Sequence, residues 1–193
     1  MKTVLPLEDL TISELLRRTA ARFPERPALE YIGQVWTYRE LDACVNQTAR
    51  RLLSWGVRRG ERVGLWCETE PDAILLSYAL PRIGAAATFL NTSLQRTELV
   101  ELLRCTEVDR LIITDGYKNI SFPALCRGLT EEVPTLLAVL YAGQGGEGGG
   151  FERLSDLQMA SEDELAQAVE LGPGVRRHQA GDAGGGGGGE QAV

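Results

Sequence analysis

The sequence is poor in histidine and lysine, two side chains that often take part in catalysis. It contains a single histidine, His178, and only two lysines, Lys2 and Lys118. Its formal net charge of −7 argues against nucleic acid or an anionic membrane surface as a partner. No basic segment followed by an apolar run opens the chain, and no apolar run approaches membrane-spanning length. We therefore expect no membrane span and, by default, a cytoplasmic location.

Cysteines are few and widely separated. The four are Cys44, Cys67, Cys105 and Cys126, and no two are close enough in sequence to form a metal-binding knuckle or a redox pair. We interpret them as small apolar side chains in a reducing compartment. The sequence thus predicts no metal site.

Glycine is concentrated in the last quarter of the chain. Seven of the 22 glycines precede residue 143, and an unbroken run occupies residues 184–189. We therefore expect an N-terminal α/β subdomain at 1–142, a flexible Gly-rich loop at 143–150 and a short helical continuation at 151–171. Residues 172–193 are expected to form a disordered Gly-rich tail, because no apolar cluster there offsets the entropy of ordering.

Residues 11–40 show sequence patterns typical of a helix, a hairpin and the start of a second helix. Thr11 opens a helical pattern with apolar residues at Ile12, Leu15, Leu16 and Ala20. Residues 27–32 and 35–36 read as two strands joined by a turn, which predicts a hairpin. A capping box at 37–40 (TYRE) predicts a long helix after it.

Helices and strands alternate through the rest of the first 142 residues. Strands separated by helices at this spacing indicate crossover units and a parallel sheet, so the expected fold class is α/β. The predicted strands are 62–66, 85–90, 111–113 and 135–140. Three helices are predicted: one begins at Pro71, one spans 97–105 and one spans 121–129.

The order of several segments resembles the opening of the adenylate-forming (AMP-binding) enzymes, which include the acyl-CoA synthetases. No piece is specific alone, but together they occur in the family's order and at its separations. The pieces are residues 37–41 (TYREL), 49–53 (ARRLL), 56–63 (GVRRGERV), 83–86 (IGAA), 89–94 (FLNTSL) and 111–114 (LIIT). Residues 89–94 and 159–165 look most like bacterial fatty-acyl-CoA synthetases.

The resemblance implies a two-step reaction. A fatty acid attacks the α-phosphorus of ATP to give an acyl-adenylate and pyrophosphate, and CoA then displaces AMP. It also implies ATP, Mg²⁺ and CoA for the whole enzyme, a phosphate-gripping Ser/Thr/Gly-rich loop ending in lysine, and a C-terminal catalytic lysine. This sequence has no threonine after Thr135 and no lysine after Lys118. We therefore assign no catalytic and no cofactor-binding residue to this chain.

We interpret the chain as an N-terminal fragment of such a ligase, truncated near Leu171 by a frameshift or a shortened gene and inactive alone. A natural short paralogue is the alternative origin. A non-catalytic remnant that docks on a full-length ligase is the alternative function. An independent flavodoxin-like nucleotide binder is disfavoured, because no Gly-rich turn follows a strand in the first 142 residues.

One weak site prediction concerns Asn91. It follows the predicted strand 85–90, and the carboxyl ends of strands face ligands in open α/β sheets. By resemblance, its loop approaches the acyl and pantetheine channel, so Asn91 is a candidate substrate-side residue, with a turn-forming role as the alternative. The resemblance also implies a missing second subdomain, so we expect residues 74–80 to be partly uncovered and to favour self-association.

Overall fold

The computed structural model describes residues 11–145 and 148–172. Its centre is a five-stranded parallel sheet with strand order β4-β3-β5-β8-β9. The predicted α/β class and parallel sheet are confirmed. The sheet strands are β3 (Arg62–Trp66), β4 (Ala86–Phe89), β5 (Arg110–Ile113), β8 (Ala138–Tyr141) and β9 (Glu152–Arg153).

Helices cover both faces of this sheet. One apolar core joins α1 (Ile12–Arg22), α2 (Tyr38–Ser54), α3 (Pro71–Arg82) and α7 (Glu162–Glu170) to the sheet. A second core lies on the other face with α4 (Arg96–Thr106), α5 (Phe122–Cys126) and α6 (Leu129–Glu132). Alternate side chains of β5 enter opposite cores, because successive residues of a strand point to opposite faces: Ile112 enters the first core and Leu111 the second.

Two antiparallel hairpins lie outside the sheet. The predicted one is confirmed as β1 (Pro27–Tyr31) paired with β2 (Gln34–Thr37). The sequence analysis missed the other, in which β6 (Gly116–Tyr117) pairs with β7 (Ile120–Ser121). A strand of two residues is too short to show the alternation of apolar and polar residues by which strands are predicted from a sequence.

The helix caps follow their sequence signals closely. Thr37 accepts a hydrogen bond from the Glu40 amide, and the Glu40 carboxylate accepts from the Thr37 amide, which completes the predicted capping box. Thr11 caps α1 in the expected way. Short-range hydrogen bonds of this kind depend only on neighbouring residues, so the sequence predicts them well.

Two segments depart from the sequence pattern. Ile12 and Leu15 of α1 are 50% and 54% exposed, whereas Ser13 is buried. Gly128 divides the single helix predicted over 121–129 into α5 and α6, with φ at 67°. The helices α1 and α2 and the sheet pack against residues 74–80 of α3, yet Ile74, Leu75 and Tyr78 remain half-buried. The predicted self-association through this helix stays a prediction.

The Gly-rich segment after β8 is built around Tyr141. Gly148 is buried within a short 3₁₀ turn, at φ 62°, and a Cβ there would lie 2.9 Å from Cδ1 of Tyr141. Residues 151–171 contain the expected helix, α7, whose Leu165 enters the first core. The flexibility of 143–150 stays a prediction, and the tail predicted at 172–193 lies outside the described residues after Gly172.

Substituting Gly148 with alanine should destabilise the fold more than substituting Gly150. Both glycines have positive φ, so both changes carry a left-handed backbone cost of about 1–2 kcal/mol. A Cβ at Gly150 meets nothing within 4 Å. At Gly148 it meets the Tyr141 ring, and such overpacking adds about 1–3 kcal/mol. Urea denaturation of both variants measures the difference, and equal losses would show that Tyr141 moves aside freely.

Candidate functional site at the carboxyl edge of the sheet

The strand order creates a crevice between β3 and β5. The chain leaves β3 toward β4 on one side, crosses back to β5, and continues to β8 on the other side. Loops after β3 and β5 therefore diverge, and open α/β sheets bind ligands at such a switch point, beyond the carboxyl ends of the strands. We take this edge of the sheet as the candidate site.

Acidic side chains follow β3. Glu68 and Glu70 lie in the loop before α3, and Asp72 lies in its first turn. Partial burial, and then the charges of Glu68, Asp72 and Asp115, raise the pKa of Glu70. Negative charge in this loop opposes the binding of a phosphate.

A cluster of polar groups, which we call the polar hub, lies after β5 and β8 and consists of Asp115, Tyr141 and Gly145. The Tyr141 hydroxyl contacts both the Asp115 carboxylate and the Gly145 carbonyl, and the Gly145 amide donates to Asp115 at 3.2 Å. Burial, followed by the hydrogen bond and charge of Asp115, raises the pKa of Tyr141 to about 12, so its hydroxyl stays protonated at neutral pH. A Cβ at Gly143 would lie 2.6 Å from this hydroxyl. The hub thus holds the chain after β8 in place.

Two cavities flank the hub. The larger, about 400 Å³, lies between the β1–β2 hairpin and the start of α3, with Tyr31, Trp36, Glu70 and Asp72 among its lining residues. The smaller, about 270 Å³, lies between α2 and the ends of β8 and β9. Asp72 and Gln144 line both cavities, and the Gln144 amide donates to Asp72 at 2.6 Å across the boundary between them.

The predicted site residue Asn91 lies beyond β4, away from both cavities. Its side-chain oxygen accepts a hydrogen bond from the Ser93 amide at 2.9 Å, and its carbonyl accepts from Nε1 of Trp66 at 2.9 Å. Asn91 is therefore a turn-forming residue in this structure. Its substrate-side role stays a prediction.

The described residues offer neither a ready cluster of metal ligands nor a phosphate-binding turn. Within 11–145 and 148–172, no group of three or more His, Cys, Asp or Glu side chains could hold a metal ion. The loop from β3 to α3 carries carboxylates where a phosphate-binding turn needs glycines and a cation. We therefore derive no catalytic step from these residues.

The comparison with known proteins decides the family. Residues 16–170 match the family of AMP-binding enzymes. This chain belongs to that family. The resemblance seen in the sequence is thereby confirmed, and the parallel sheet is the N-terminal part of a member's fold.

The names of individual relatives indicate different carboxylic acid substrates. The chain is 33% identical over 125 residues to YngI of Bacillus subtilis, named provisionally as an acyl-CoA synthetase, covering 64% of this chain and 23% of that protein. It is 29% identical over 147 residues to the 2,3-dihydroxybenzoate-AMP ligase of the same species, covering 76% of this chain and 27% of the ligase. The chain therefore spans about a quarter of the length of these curated relatives.

A solved structure supports the same fold. It is a Rhodopseudomonas palustris protein named provisionally as a long-chain-fatty-acid CoA ligase, with a TM-score of 0.67 and 27% identity. The match covers 81% of this chain and 38% of that protein. The family's architecture thus extends over most of the residues that the structure describes.

Proposed function

We propose that this chain is the N-terminal part of an ATP-dependent acyl-CoA ligase that joins a fatty acid to CoA, and that it catalyses neither step alone. The family match over residues 16–170 carries this proposal. The fatty-acid assignment is supported by the Rhodopseudomonas structure and by the mouse mitochondrial medium-chain acyl-CoA ligase ACSF2, which is 32% identical over 129 residues.

ATP, Mg²⁺ and CoA are proposed for the whole protein and not for the described residues. A Bacillus subtilis relative of similar fold, O-succinylbenzoate CoA synthetase, has been solved with ATP and magnesium. In our chain the acidic loop after β3 disfavours phosphate, so the triphosphate would be held by other parts of the enzyme. Because those other parts would be needed to hold ATP, we expect the chain alone to be inactive.

A cytoplasmic location is part of the proposal. Cys105 is exposed, Cys44 and Cys67 are half-buried, and all are free thiols. Unpaired accessible cysteines are typical of a reducing compartment. No helix among the described residues is long and apolar enough to cross a membrane.

The test is ATP–pyrophosphate exchange with the purified chain and a series of fatty acids. We expect no exchange above the enzyme-free blank, because the described residues hold neither a phosphate-gripping loop nor a metal site. Exchange that persists through repurification would overturn the proposed inactivity. A full-length parent that activates dihydroxybenzoate but no fatty acid would instead overturn the substrate assignment alone.

A second candidate function is non-catalytic docking on a full-length ligase or on another copy of this chain. The observation that favours it is the outer edge of β4, one of the two edge strands of the sheet, which pairs with no further strand among the described residues and where Phe89 is 65% exposed. Unpaired edges accept an additional strand. Size-exclusion chromatography of the chain, alone and mixed with full-length YngI, tests this, and a larger species should be lost with Phe89→Ser.

A further inference from the structure

The smaller cavity contains a guanidinium group that has no counterion among the residues that the structure describes. Arg51 lies on α2 and lines the 270 Å³ cavity together with Arg153, Gln47 and Thr48. Its Nε atom is buried and has no hydrogen-bond partner among the described residues. Buried polar groups are nearly always paired, and an unpaired donor on a charged group is costly. No described residue pairs with Nε of this guanidinium, and the Arg51 side chain lines the cavity.

The neighbouring Arg50 shows what a satisfied arginine looks like on the same helix. Its Nε donates to the Ala160 carbonyl at 2.5 Å, and its NH1 lies 3.6 Å from Glu162 at the start of α7. Arg51 forms no salt bridge within the residues that the structure describes. The difference is one of position, since Arg50 faces α7 and Arg51 faces the cavity.

The charges around the cavity favour an anion. Arg153, which lines it, already has a partner of its own, and this leaves the guanidinium of Arg51 and one carboxylate, Asp72. That carboxylate already accepts a hydrogen bond from Gln144, and Arg153 lies over the Tyr141 ring at 4.9 Å. Gln47, Thr48 and Ser155 add neutral hydrogen-bonding groups to the wall. Planar guanidinium forks match the oxygens of carboxylates and phosphates.

We propose that this cavity binds a small oxyanion, a phosphate group or a carboxylate, through Arg51. The cavity lies at the carboxyl ends of β8 and β9, where parallel sheets commonly present ligand-binding groups. Its volume suits a compact anion and not a fatty acyl chain. The proposal does not depend on the proposed ligase function, because it concerns a charge and a cavity that the chain has by itself.

The test is calorimetric titration of the purified chain with inorganic phosphate, acetate and AMP, in chloride buffer at constant ionic strength. We expect one binding site for phosphate or acetate. Phosphate without acetate assigns a phosphoryl ligand, acetate without phosphate assigns a carboxylate, and binding of AMP indicates that the phosphate can carry a nucleoside. Absence of binding for all three would overturn the proposal and would mean that water alone satisfies Arg51.

Matched variants locate the binding. Arg51→Gln should weaken the affinity roughly tenfold or more, since a charge-assisted hydrogen bond is lost. Arg50→Gln should leave it unchanged, because that side chain is engaged with α7. Circular dichroism checks that both variants fold, and Arg51→Lys, which keeps the charge without the fork, serves if the glutamine variant does not. Equal binding by wild type and either Arg51 variant would place the anion elsewhere and overturn the assignment.

Discussion

Replacing Arg82 with alanine should lower the free energy of unfolding by about 3–5 kcal/mol, because it leaves a buried charge network without its cation. The Arg82 side chain is only 5% exposed. Its Nε donates to the Ser13 hydroxyl at 2.7 Å, and one terminal nitrogen lies 2.7 Å from an Asp42 oxygen. A third bond, to Asn46 at 2.6 Å, completes the network. A single side chain at the end of α3 thus ties α1 and α2 to it.

Chemical denaturation of Arg82→Ala measures this loss, and Arg39→Ala is the control. Arg39 also pairs with a carboxylate, that of Glu25, but the two side chains are 67% and 73% exposed. Exposed pairs contribute about 0–1 kcal/mol, so the control should be nearly neutral. A double-mutant cycle with Asp42→Ala separates the pair's coupling from the loss of packing. A loss below about 1 kcal/mol for Arg82→Ala would mean that water replaces the guanidinium, contrary to the cost expected for a buried pair.

Replacing Trp66 with alanine should lower the free energy of unfolding by about 3–5 kcal/mol, the usual range for a fully buried aromatic side chain. Trp66 ends β3 and is 0% exposed. Its ring stacks on Phe122 with centroids 4.0 Å apart. Its Nε1 donates to the Asn91 carbonyl. The residue therefore joins the second core to the turn that contains Asn91.

The conservative variant Trp66→Phe separates packing from the hydrogen bond. It keeps an aromatic ring against Phe122 but leaves the Asn91 carbonyl without its donor, at a cost of about 1–3 kcal/mol. Hydrogen exchange at the Ser93 amide, which bonds to the Asn91 side chain, should accelerate in this variant. Unchanged exchange there, together with a full loss in Trp66→Ala, would show that the indole acts by packing alone.

The first of the two cores could be predicted only in part. The helical pattern at the start of α1 includes Leu16 and Ala20 among its apolar positions, and both are buried. The same pattern includes Ile12 and Leu15 among its apolar positions, and both are exposed. The reason is Arg82, which lies 69 residues away in sequence and draws the polar Ser13 into the interior. A helical pattern shows which residues are apolar, but a distant partner decides which face of the helix is turned inward.

The sequence alone determined the fold class, the caps, the hairpin after α1 and the family, because each depends on local propensity or on the order of neighbouring segments. It also supplied the turn-forming alternative for Asn91. Only the tertiary structure showed that Gly148 packs against Tyr141 and that α1 and α2 pack against α3. It alone separated Arg50, paired with Ala160, from Arg51, whose Nε has no partner among the described residues. Two adjacent arginines have almost the same sequence neighbours, so the sequence cannot distinguish them. They differ only in the groups that the folded chain places next to each side chain.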